Sequence, residues 1–122
     1  MDARIPDNTG YQPIDEPIAP DGPAAYFSTL PVKAIAERIQ SAGLPAVVSN
    51  TAGTYVCNNL LYTLLHTAAL EYPGLRGGFL HVPYAIEQLP GKPGDTFGMK
   101  LCDIARALTC AVEAIAEHLL ER

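Results

Sequence analysis

The stretch Ala46-Val47-Val48-Ser49-Asn50-Thr51-Ala52-Gly53-Thr54-Tyr55-Val56-Cys57 decides how this chain is read. Ala46–Ser49 is short, apolar and rich in β-branched residues, which marks a strand. Asn50–Thr54 is a polar elbow containing Gly53. From about Tyr55 to Leu70 the residues Val56, Leu60, Leu61, Leu64, Leu65 and Ala68 make a helix that is apolar on several sides and is expected to be well buried. Pro73 and Gly74 close it, and Gly78-Phe79-Leu80-His81-Val82 follows as a second apolar strand stopped by Pro83. Strand, helix, strand over Ala46–Val82 is a βαβ unit. Its two strands run parallel, so their carboxyl ends share one edge.

Working outward, Val32, Ile35, Ala36 and Ile39 repeat at helical spacing, with Pro31 suited to the first turn and Gly43 to the end. Residues 1–28 are rich in proline and read as loops and turns, with room for short strand pieces. Downstream, Pro90, Gly91, Pro93, Gly94 and Gly98 sit in a loop that leads to a last helix, from about Met99 to Leu120. The inner face expected for it is Leu101, Ile104, Ala105, Leu108, Val112, Ile115 and Leu119. Glu113, Glu117 and Glu121 form an outer, solvated row. The segment Leu89–Thr96 carries glycines and Lys92 but lacks the residue order of a phosphate cradle, so it reads as a surface loop. Helices alternating with short apolar strands define an α/β fold with buried parallel sheet.

The 122 residues make one domain or part of one. A formal charge of −5, with eight Lys and Arg scattered singly, argues against nucleic acid as a partner. No apolar run approaches the roughly 20 residues that span a bilayer, so no membrane role is expected. The polar start Met1-Asp2-Ala3-Arg4 lacks the layout of a signal peptide. Cys102 and Cys110 fall two turns apart on one helix, roughly 12 Å, too far for a disulfide. A reduced, intracellular protein is the simplest expectation.

In the βαβ reading, Cys57 stands in the first turn of the crossover helix and His81 near the end of the second strand. Both therefore fall at one sheet edge. A thiol there meets unpaired backbone N–H groups and the positive end of the helix dipole, the setting of a sulfur nucleophile, with an imidazole as its base. The elbow amides are suited to stabilise an oxyanion. The residues by themselves leave the alternative open that Cys57 is a small core residue and His81 a packed histidine. Cys102 and Cys110 are explained by packing, and His66 and His118 read as structural or solvent-facing. No Cys/His pair has ligand spacing, so neither metal nor cofactor is expected.

Ser49-Asn50-Thr51-Ala52-Gly53-Thr54-Tyr55-Val56-Cys57-Asn58-Asn59 resembles the nucleophile motif of the pyroglutamyl-peptidase I (pyrrolidone carboxyl peptidase) family. Gly78-Phe79-Leu80-His81-Val82-Pro83-Tyr84, with Glu87-Gln88, is similar to its histidine motif. Asp2-Ala3-Arg4-Ile5-Pro6-Asp7-Asn8, then Gln12-Pro13, resembles a third block. The resemblance implies a cytoplasmic thiol protease that removes amino-terminal pyroglutamate from peptides through a thioester, with Cys57 and His81 catalytic. It places the lactam ring against Ile5, Tyr55 and Val56, and Arg4 beside the scissile carbonyl with the backbone N–H of Cys57.

The fold implied is the carboxy-terminal portion of a phosphorylase/hydrolase-like domain, a partial three-layer open sheet. Members of the family are nearly twice this length. Their preceding half carries the glutamate of a Cys–His–Glu triad and aromatic residues that stack on the lactam. The expectation is that residues 1–122 are the carboxy-terminal part of a single such domain, inactive alone. The alternative is a non-catalytic remnant serving as an interaction or oligomerisation module. Family members often form dimers or tetramers, so a homo-oligomer is a further expectation.

Overall fold

Each of the three helical repeats becomes a helix in the computed structural model, which describes residues 3–120. These are α1 (Val32–Ser41), α2 (Val56–Glu71) and α3 (Leu101–Leu120). Between α2 and α3 lie β1 (Tyr84–Ala85), a 3₁₀ turn (Ile86–Gln88) and β2 (Gly98–Met99). β1 and β2 pair in parallel, Tyr84 opposite Gly98 and Ala85 opposite Met99. The described chain forms two compact units, Met1–Leu30 with Ser49–Phe79, and Pro31–Val48 with Leu80–Arg122.

The α/β class stands, but the strands of the βαβ unit are a correction. Ala46–Ser49 and Gly78–Val82 are not strands, and Val47 is 87% exposed. A strand exists only through a ladder of backbone hydrogen bonds to a neighbour. Among the described residues, neither segment is paired into a sheet. An apolar, β-branched composition favours a strand and cannot supply the partner.

In the first unit, residues 3–30 contain no helix or strand, as their prolines suggest. Side chains of α2 hold part of this segment in place. The Tyr62 hydroxyl donates to the Pro23 carbonyl at 2.6 Å, and the Tyr26 hydroxyl bonds to His66 Nδ1 at 2.7 Å. The Tyr62 and His66 rings stack at 5.8 Å, with Tyr26 edge-on to Tyr62 at 5.0 Å. A Cβ on Gly22 would sit 2.3 Å from the Tyr62 hydroxyl, so the backbone passes here only because it is bare. Thr29 exchanges hydrogen bonds with Gly77, its N–H to the Gly77 carbonyl at 2.9 Å and the Gly77 N–H to its hydroxyl at 2.8 Å.

Helix α2 is buried along Tyr62, Leu65 and Ala68 alone, while Leu60 and Leu64 are exposed. Burial on several sides, expected from its composition, is therefore corrected to one stripe. Leu65, 4% exposed, is the deeper leucine. We expect Leu65→Ala to lower unfolding free energy by about 2–5 kcal/mol. Leu60→Ala, at 58% exposure, should cost less than about 1 kcal/mol. Urea denaturation of the two variants measures both.

In the second unit, Pro31 precedes α1 as its cap instead of entering the first turn, and its carbonyl accepts the Ile35 N–H at 3.0 Å. The helix ends where Gly43, at φ +82°, turns the chain and the Leu44 N–H returns to the Ile39 carbonyl at 3.2 Å. α1 buries Ile35, Ala36 and Ile39 and packs on α3, which buries Ile104, Ala111 and Ala114. This corrects the inner face expected of the last helix. Only Ile104 of that set is buried, and Ile115 is half-buried. Leu101, Ala105, Leu108, Val112 and Leu119 are exposed. The apolar arc of α3 is wide enough for two stripes, and the buried one carries Ile104, Ala111 and Ala114. The helix begins at Leu101, because Gly98 and Met99 go to β2.

Arg38 of α1 reaches the acidic row, pairing with Glu113 at 3.0 Å and with Glu117. Glu121 lies outside the described residues. Arg106 donates to the Ala42 carbonyl at 3.0 Å, satisfying a group at the end of α1. The Leu89–Thr96 loop is the turn-rich segment expected, with Lys92 over the Tyr84 ring at 4.8 Å from its centre.

The Arg38 guanidinium, chiefly through its hydrogen bond, holds the Glu117 carboxyl below its ordinary value of 4.5. A depressed folded pKa contributes stability that is present above the unfolded value and lost as pH falls through the folded one. Glu117→Gln should therefore flatten the loss of stability on acidification below about pH 4.5 while changing little at pH 8. Urea midpoints across that range would show it. Salt screening keeps this effect small at so exposed a pair.

Candidate active site

The elbow before α2 is built from local hydrogen bonds. Ser49 Oγ donates to the Thr51 carbonyl at 2.8 Å, and the Gly53 N–H donates to Thr51 Oγ1 at 3.0 Å. Gly53 adopts φ +84°, a turn that favours glycine. Tyr55 follows in extended conformation, and its carbonyl accepts the Asn59 N–H at 3.1 Å, opening the helix. Val56 is thus the first helical residue and Cys57 the second, among N–H groups that have no acceptor within the helix. Cys57 is half-buried and outside any disulfide, and the first turn of α2 contains no acidic residue to offset the dipole.

His81 is exposed on the segment before β1. It belongs to the second unit and Cys57 to the first. Tyr55 and Val56 line a cavity of ≈ 370 Å³ together with Ala3, Asp7, Tyr11, Leu60 and others on the same face of α2. The Tyr55 hydroxyl donates to the Pro6 carbonyl at 3.1 Å, bringing the Arg4–Asn8 block to the elbow. Arg4 and Ile5 are exposed and do not line that cavity, and Asp2 lies outside the described residues.

Asp7 closes its own turn. One carboxylate oxygen accepts from the Thr9 N–H at 2.8 Å, the Thr9 hydroxyl at 2.7 Å and the Tyr11 N–H at 3.0 Å. These bonds, the Thr9 hydroxyl foremost, hold its pKa below 3.8. His66, bonded to Tyr26, is a structural histidine, and His118 is half-buried in the last turn of α3.

Cys102 differs from expectation. It is exposed, so packing does not explain it, and it is the second residue of α3 as Cys57 is of α2. The motif reading missed this because the helix was expected to begin two residues earlier. The two helix starts differ in charge: Asp103 follows Cys102 and pairs with Arg106 at 3.3 Å. Among the described residues, no three His, Cys, Asp or Glu side chains could hold a metal ion, and no helix is long and apolar enough to cross a membrane.

An α/β chain that presents a cysteine at a helix start, behind a glycine-containing elbow, has a layout suited to nucleophilic catalysis. Residues 1–118 match the pyroglutamyl peptidase family, and the chain belongs to that family. It is 68% identical over 121 residues to a pyrrolidone-carboxylate peptidase of Streptomyces coelicolor, covering 99% of this chain and 55% of the relative. A pyrrolidone-carboxylate peptidase of Streptococcus pneumoniae is 56% identical over 117 residues, covering 96% and 54%. The solved structure of the pyrrolidone carboxyl peptidase of Thermococcus litoralis superposes with a TM-score of 0.90 at 43% identity, over 99% of this chain and 57% of that one. The chain spans about half the length of the curated relatives it matches.

Proposed function

We propose that this chain is the nucleophile-bearing, carboxy-terminal part of a single peptidase domain that removes amino-terminal pyroglutamate from peptides. The observation that supports this most directly is the position of Cys57, second in α2 behind the elbow, in a chain of the pyroglutamyl peptidase family. In this reading Cys57 Sγ attacks the pyroglutamyl carbonyl while His81 takes the thiol proton. The backbone N–H of Cys57 and Arg4 stabilise the oxyanion. The C–N bond breaks, the leaving amine receives the proton from His81, and a thioester remains. Water activated by His81 hydrolyses the thioester, releasing pyroglutamate and restoring the thiol. Ile5, Tyr55 and Val56 hold the lactam.

The residues that the relatives carry beyond the matched half complete the site, and residues 1–122 alone do not turn over substrate. Reduced thiols and a cytoplasmic setting accompany this chemistry. The test is hydrolysis of pyroglutamyl-aminomethylcoumarin by a longer chain that restores the remaining half. There, His81→Ala should lower kcat/KM by about 10³-fold or more, since it removes base and acid together. His66→Ala and His118→Ala, if folded, should leave it within a few-fold. A loss at His66 or His118 equal to that at His81 would place the base elsewhere.

A further inference from the structure

The segment from Ala3 to Pro13 is pinned at two places by its own hydrogen bonds. At its start the Ala3 N–H donates to the Pro13 carbonyl at 3.0 Å, and Gln12 Nε2 donates to the Ala3 carbonyl at 3.1 Å. At its turn the Asp7 N–H donates to the Tyr11 carbonyl at 3.0 Å, and the Asp7 carboxylate accepts from the Thr9 and Tyr11 N–H groups. Arg4, Ile5 and Pro6 lie exposed between these anchors. Close packing does not set their distance from the elbow, because Ala3 and Asp7 face Tyr55 and Val56 across a cavity of ≈ 370 Å³. The Tyr55 hydroxyl crosses from elbow to segment, donating to the Pro6 carbonyl at 3.1 Å.

We infer that the Tyr55 hydroxyl is a positioning group for substrate affinity: through Pro6 it fixes Ile5 beside the elbow, separately from the contact that the Tyr55 ring makes with the lactam. The inference rests on the proposal that Ile5, Tyr55 and Val56 hold that lactam. Proline chemistry makes the link stiff. The Pro6 ring locks its own φ, and a residue before proline is itself restricted to extended backbone. Holding the Pro6 carbonyl therefore holds Ile5. Arg4 is anchored from the other side, since it follows Ala3, whose N–H and carbonyl are both bonded. Loss of the hydroxyl should accordingly loosen the wall of the lactam site more than the oxyanion contact, and act on KM more than on kcat.

Tyr55→Phe deletes the hydroxyl and keeps the ring. In the longer chain that restores the half its relatives carry, this variant should raise KM for pyroglutamyl-aminomethylcoumarin about threefold to tenfold, the net worth of one hydrogen bond. Its kcat should stay within about twofold, the pattern of lost uniform binding. A merely structural role would do the opposite, lowering apparent kcat at constant KM as folded protein is lost. Tyr72→Phe, exposed at the far end of α2, is the control and should leave KM within about twofold. Ile5→Ala should raise KM by itself, and Tyr55→Phe added to it should change KM by less than about twofold, because the side chain that the bond places is gone. In the 122-residue chain, with no activity readout, Tyr55→Phe should lower the ¹⁵N order parameter of Ile5 from the rigid range near about 0.85 toward about 0.6. Three results would overturn the inference: an unchanged KM in Tyr55→Phe, the same fold-rise in KM with and without Ile5→Ala, or an unchanged order parameter at Ile5. An unchanged KM in Ile5→Ala alone would overturn the lactam assignment itself, and the inference with it.

Discussion

Cys57→Ala, placed in a longer chain that restores the half its relatives carry in addition, is expected to cut hydrolysis of pyroglutamyl-aminomethylcoumarin by about 10⁴–10⁶-fold. Without the sulfur no thioester forms, and what is left is the effect of binding and of oxyanion donors on attack by water. Cys102→Ala is the matched control. It also removes a thiol from the second position of a helix, and a more exposed one. Its first turn carries Asp103, whereas that of α2 carries no acid. Activity of Cys102→Ala should stay within about twofold of the parent, as for an exposed side chain away from the site. Turnover numbers and a burst of released aminomethylcoumarin in the parent, absent in Cys57→Ala, measure the claim. Equal losses in the two variants would move the nucleophile away from Cys57.

The helices were legible in the sequence because their signals are local. Gly43 and the Pro73-Gly74 pair mark ends that the structure places within two residues. The strands were not, because a strand is a relation between two segments and the composition of Ala46–Ser49 describes only one of them. The same limit explains α3. Its sequence shows a wide apolar arc, but which stripe is covered depends on what lies opposite, and it is the stripe with Ala111 and Ala114 that is buried in a helix packed on α1.

Of the candidate site, the helix-start position of Cys57 could be read from the order strand, elbow, helix. The Tyr26–Tyr62–His66 cluster could not, since it joins residues 40 positions apart through a proline-rich segment that has no periodicity.

Residues 1–122 by themselves are expected to show negligible pyroglutamyl-peptidase activity, and the longer chain to recover it. Three losses combine. The family resemblance puts the acid that would orient His81 in the other half, and removing the equivalent acid from a serine triad costs about 10⁴ in rate. Asp7 and Glu87, two acids of this chain, are poorly suited to replace it. Asp7 spends one oxygen on three hydrogen bonds in its own turn, and Glu87 is exposed in the 3₁₀ turn after β1. Among the described residues, neither the segment before the elbow nor the one around His81 is paired into a sheet, so neither side chain is held by a strand. Finally, Ile5 is 56% and Val56 51% exposed, so the side chains assigned to the lactam form at most one wall of a pocket. Misplacement by about 1 Å can cost 10²-fold on top of the lost acid. The measurement is release of aminomethylcoumarin by the purified 122-residue chain and by the longer chain at equal concentration, each checked for folding by circular dichroism. Substantial turnover by the short chain would mean that an acid within it serves His81, and Asp7→Asn and Glu87→Gln would show which. Silence from a folded longer chain would favour the non-catalytic module.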